Sequence, residues 1–153
     1  MAPATNSAAD GSPSEKGLDR RPAGVDDNTV AAVGKLSEAL ETVERARGAL
    51  YDFHQLMGHA DLQAGEACDL LRAAGHPEIA DLLDTDLVGR NVLPGRWTFQ
   101  VVEEFDDCYW SVFRTHESAV RQALVNGVRH VFEAEMKQAR RTEGRPGHEA
   151  APS

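Results

Sequence analysis

The apolar positions between Pro94 and Arg141 fall in steps of three and four: Val102, Phe105, Tyr109, Phe113, His116, Val120, Ala123, Gly127, Val131 and Ala134. That spacing lines them along one side of an α-helix. After Pro94-Gly95 the stretch has no proline, and Gly127 is its one glycine. The pattern predicts a nearly continuous helix from about Thr98 to Arg141. Such a rod would span roughly 65 Å at 1.5 Å per residue. A domain of this size is only about 35–40 Å across. The expectation is that the far half of the rod packs on a second copy of the chain. Thr115–Ser118 and Asn126-Gly127 are the places where it would otherwise kink.

An earlier stripe has the same spacing. Val33, Leu36, Leu40, Val43, Ala46, Leu50, Phe53 and Met57 predict a helix that starts after an Asp27-Asn28 cap and stops at Gly58. Glu44, Arg47, Tyr51 and His54 form a second stripe beside it, at the same spacing. A seven-residue pattern held over several turns suits left-handed packing against another long helix, as in a coiled coil. The natural partner is the helix after Pro94. A shorter helix is expected from Ala60 to Ala74, ending at Gly75, and another from Pro77. The turn residues Gly89, Asn91 and Pro94-Gly95 break up the segment Asp86–Gly95.

The fold class is therefore all-α: a helical bundle of two long helices and two shorter ones over residues 27–141. The flanking tails, residues 1–26 and 142–153, are rich in Ala, Pro, Ser and Gly. They carry too little apolar area to offset the entropy of ordering, so they are expected to be disordered. The formal net charge of -9 disfavours nucleic-acid phosphate and anionic membranes as partners. Lys137, Arg140, Arg141 and Arg145 are the nearest thing to a basic patch, and the dipole of a helix C-terminus accounts for them. Two cysteines, Cys68 and Cys108, are too few for a disulfide framework and fit a reducing, cytoplasmic setting. No leader and no apolar run of about 18 residues is visible.

Candidate chemistry is sparse. The helical di-metal spacing Glu-x-x-His does not occur, nor does His-Glu-x-x-His or Cys-x-x-Cys. No metal or cofactor is expected. The residues that would line a small-molecule pocket, if there is one, are Tyr51, His54, Arg90, Arg96, Trp97 and Glu103. Two arginines and an indole on a glycine-bearing loop suit an anionic or planar ligand. The same arginines have nearby carboxylates to pair with, and a tryptophan often seals a bundle end. In the acidic run Glu103, Glu104, Asp106 and Asp107, the like charges at i and i+4 call for a basic neighbour such as Arg96 or Arg47. These patterns favour a non-enzymatic interaction or scaffold protein acting as a homodimer, with the ligand-binding protein as the alternative.

The strings GRWTFQVVEEFDDCYW and RHVFEAEMK resemble a group of small, mainly helical proteins of high-GC actinobacteria. The likeness covers about Val33 to Arg141. It implies a helical fold and carries over no activity and no site residue.

Overall fold

A computed structural model of the protein describes residues 20–150. Most of the expected N-terminal tail, residues 1–19, lies outside the described residues, as do residues 151–153. Among the described residues the chain is all-α: α1 (Asp27–Ala73), α2 (Pro77–Asp86), α3 (Thr98–Phe105), a π-helical turn (Asp106–Trp110), α4 (Ser111–Val125) and α5 (Val131–Arg140). No helix among these residues is long and apolar enough to cross a membrane. The chain divides into two compact units. One is Lys35–Val120; the other joins the segment up to Gly34 to the segment from Arg121.

α1 corrects the expectation of a stop at Gly58. It runs unbroken for 47 residues and absorbs the predicted second helix. Gly58 has no positive φ, and a Cβ there would meet open space. A glycine ends a helix where it takes a left-handed conformation, and Gly75 does so at φ +86°. The start of α1 is set by Asp26, whose Oδ1 accepts from the Thr29 amide at 2.7 Å.

The second long helix is also corrected. Thr98 to Val125 is helical throughout, but the rod ends there rather than at Arg141. Thr115 does not break it: its hydroxyl donates to the Ser111 carbonyl at 2.8 Å, one turn back within α4. The break comes at Asn126-Gly127, with φ of 55° and 76°. The Gly127 amide returns to the Arg121 carbonyl at 3.1 Å, closing the helix end. His130, also left-handed at φ 57°, precedes α5. The apolar stripe keeps its phase across this gap although the backbone does not. The continuous part spans only about 40 Å, so the overhang argument for a second copy no longer holds.

In the unit Lys35–Val120, α1 and the α3–α4 rod run antiparallel. Ser37 Oγ meets Glu117 Oε1 at 3.0 Å, Glu44 meets Trp110, Arg47 meets Asp106, and His54 meets Thr98. Farther along α1, the Gly89 amide donates to Asp61 Oδ1 at 2.7 Å. Arg72 holds α2 through Asp81 at 3.0 Å and Asp84 at 2.7 Å. Cys68 and Ala80 are fully buried. In the other unit Val30, Val125 and Val131 are buried, and the Phe132 side chain closes on Gly34. Arg21 forks onto Glu135 at 2.7 Å for each bond and also reaches Asp27.

Candidate functional site

The polar contacts of α1 with the rest of its unit follow one line: Ser37, Glu44, Arg47, Tyr51 and His54, then Asp61 and Arg72. With Leu40, Gly58, Gly65 and Cys68 in the places between, the steps are again alternating threes and fours. Its middle, Glu44 to His54, is the stripe read from sequence as secondary, and Leu40 comes from the apolar seam beside it. Polar groups dominate it because the facing rod offers Asp106, Trp110, Thr98 and Glu117 as partners.

Arg47 is the centre. Its Nε and Nη2 donate to the two oxygens of Asp106 at 2.7 and 2.8 Å. Tyr51 hydroxyl donates to the same carboxylate at 3.2 Å and accepts from Arg47 at 3.3 Å. The guanidinium lies 4.2 Å from the Trp110 ring centre, and that of Arg114 lies 4.6 Å from it. Trp110 Nε1 donates to Glu44 at 2.8 Å. The fork from Arg47, with help from Tyr51, holds the Asp106 carboxyl below the usual carboxylate range against the opposing effect of desolvation. Such a carboxylate is a weak base near neutrality, and its oxygens are already engaged. The geometry is that of a latch between helices.

The π turn sets the register of the rod. The Ser111 amide donates to the Asp106 carbonyl, an i to i+5 bond that takes up an extra residue. Asp106 and Trp110, four apart, share a helix face in any case, and the extra residue lets Thr98 before the turn and Glu117 after it meet α1 as well.

The other residues picked from sequence are spread out. His54 Nδ1 lies 2.7 Å from Thr98 Oγ1, at the first residue of α3. Arg96 pairs with Glu104, and Arg90 donates to the Asp86 carbonyl of its own turn at 3.4 Å. The Trp97 amide donates to Gln100 Oε1 at 2.9 Å, while its ring is exposed and rests against Phe99 with centroids 5.3 Å apart. Glu103 is exposed. These contacts bring Tyr51 into the Arg47–Asp106 network and His54 to the base of α3. They give Arg90, Arg96, Trp97 and Glu103 no shared partner. Sequence reasoning placed Glu44 on the second stripe of α1 without giving it a partner, and it missed Trp110. Uniform helical steps through Phe105, Tyr109 and Phe113 leave Trp110 off the seam.

Among the described residues, no group of three His, Cys, Asp or Glu side chains is gathered to hold a metal. No protein-family model, curated protein or solved structure matches the chain.

Proposed function

We propose that this chain is a non-enzymatic helical interaction protein that acts as a cytoplasmic homodimer, using coiled-coil-like packing. The observation that carries the reading is apolar area left uncovered beside polar groups that are already occupied. Glu44, Arg47, Tyr51 and His54 of α1 are paired within the chain, and Leu36, Leu40, Val43, Leu50 and Met57 are half-buried beside them. Large apolar side chains such as Phe53, Leu56, Tyr109 and Val112 stay exposed. A chain of this kind gains more from covering that apolar area with a partner than from any reaction its occupied polar groups could perform. Both cysteines are unpaired, which suits a reducing compartment. The partners of His54 and Arg96 lie within the chain, as a scaffold role requires.

The first test is sedimentation of the full chain, which should report a dimer at micromolar concentration; a clean monomer there overturns the reading. The second is a thermal-shift screen against metals, nucleotides and common metabolites. A ligand at a hundred times its dissociation constant adds about 2.7 kcal/mol of stability, a shift of several degrees. The expected result is no such shift, and a clear one would favour the ligand-binding alternative.

A further inference from the structure

We infer that a second copy docks along the back of α1, antiparallel to it, over residues 39–70. This rests on the homodimer reading and adds to it the face, the direction and the register. Each position on the inward line of α1, from Glu44 to Cys68, is followed two residues later by a member of another line. Two residues are about 200° of helix, so this second line looks away from the elements that α1 packs on in its unit. Phe53, Leu56 and Leu70 are its large members, 39%, 64% and 72% exposed. Ala46, Ala49, Ala60 and Ala67 are its small members and Gln63 its polar one, and all of them are exposed. The steps alternate threes and fours, the spacing of a helix seam that receives another helix.

The two flanks of this line differ. On one, Leu50, Met57, Ala64 and Leu71 are half-buried beside the inward contacts. On the other, Arg45, Asp52, His59 and Glu66 are exposed. Arg45 reaches Thr42 of its own helix at 3.3 Å, and the ion pairs and side-chain hydrogen bonds among the described residues include none of the other three. In a parallel pair of such helices the charged flank of one lies against the apolar flank of the other. In an antiparallel pair, apolar flank meets apolar flank and charged flank meets charged flank.

The charged flank is complementary to itself, and this identifies a second copy as the occupant. Let Phe53 of each copy meet Leu56 of the other at the centre of the seam. Arg45 then meets the partner's Glu66, and Asp52 meets the partner's His59, each pair formed twice by the two-fold axis. On the apolar flank Leu50 meets the partner's Met57. Along the seam Ala49 meets the partner's Ala60, and Ala39 takes the partner's Leu70, so bulk falls against small residues outside the centre. Sliding one helix by seven residues sets Asp52 against the partner's Glu66 in one direction and against the partner's Asp52 in the other. Like charges across a seam repel, so one register is selected. The apolar line supplies the affinity and the charged flank supplies the alignment.

The test compares variants of the full chain with the unaltered protein by sedimentation equilibrium, with circular dichroism as the check on folding. Leu56→Glu alters an exposed side chain, so helix content should hold, while the carboxylate enters the centre of the seam twice. Dimer affinity should fall more than about 30-fold. Leu82→Glu, on α2 and similarly exposed at 61%, should leave the dimer intact. Arg45→Glu and Glu66→Arg should each weaken the dimer about three-fold or more, by setting like charges opposite one another. Arg45→Glu/Glu66→Arg in one chain should return affinity close to the unaltered value, because the reversed pair is again complementary. If the unaltered chain is a dimer that Leu56→Glu leaves as tight, or that Leu82→Glu dissociates as strongly, the face is wrong while the homodimer stands. If the double charge variant is no tighter than the single ones, the antiparallel register is overturned. If the unaltered chain is a monomer, both proposals fall.

Discussion

Arg47 joins Asp106, Tyr51 and Trp110 in one network, and its geometry sets how it should respond to change. Its fork spans both oxygens of Asp106 and its plane lies near Trp110. Lysine preserves the charge but can neither fork nor stack. Arg47→Ala should lower the melting temperature by several degrees, and Arg47→Lys should recover only part of the loss. Equal melting temperatures for the lysine variant and the unaltered protein would show that charge alone matters. The basic partner was legible in the acidic run of the sequence. The carboxylates were not: Arg47 takes Asp106 and Arg96 takes Glu104, each next to the i, i+4 pair Glu103 and Asp107 that suggested a cation. Choosing between adjacent carboxylates requires the rotation of the helix to within a fraction of a turn, and the π turn alters that rotation.

At the level of elements, two glycines make opposite predictions. Gly58 lies inside α1 with open space where a Cβ would stand, so Gly58→Ala should raise unfolding free energy by about 0.5–1 kcal/mol in urea titration. Gly127 sits at φ +76° with Gln122 Oε1 2.6 Å from a notional Cβ. Gly127→Ala should cost about 1–2 kcal/mol by the same measurement, because an L-residue resists the left-handed region. The contrast also shows where the sequence was readable. Fold class, the apolar spacing and the stop at Gly75 could be taken from residue types. Whether Gly58 or Gly127 ends a helix could not, since the same residue serves either purpose and only tertiary packing decides. At Gly127 the neighbouring Asn126 joins it at positive φ, and α5 packs Phe132 on Gly34. At Gly58 the helix has contacts on both sides, from His54 to Asp61, and continues. The candidate ligand site was less readable still, because each residue was chosen for chemical type, and type does not reveal a partner.

For the whole molecule, the lowered carboxyls give a direction with pH. Asp106 is held down by Arg47, Glu135 by Arg21, and Asp26 by Thr29 at the start of α1. Each binds its proton less readily when folded than when unfolded. The stability each contributes is complete above the ordinary carboxylate range and disappears as pH falls through the lower folded value. The melting temperature should therefore drop as the solution is acidified below about pH 4. Replacing Arg47 with alanine should make that drop shallower, because Asp106 then titrates nearer its ordinary range in both states. A melting curve with unchanged acid sensitivity in Arg47→Ala would assign the pH dependence to other groups.

The extra residue between Asp106 and Trp110 is an insertion that the helix absorbs on the spot. Each residue of an α-helix turns the chain by about 100°, and the wider π turn winds five residues through about the angle that four would otherwise cover. A chain lacking one residue there would relax to plain α-helix with Ser111 to Val125 still facing as they do, and Glu117 would stay beside Ser37. A single-codon deletion in this turn is thus a smaller edit than it looks, whereas the same deletion one turn to either side would leave the wide turn in place and rotate everything beyond it.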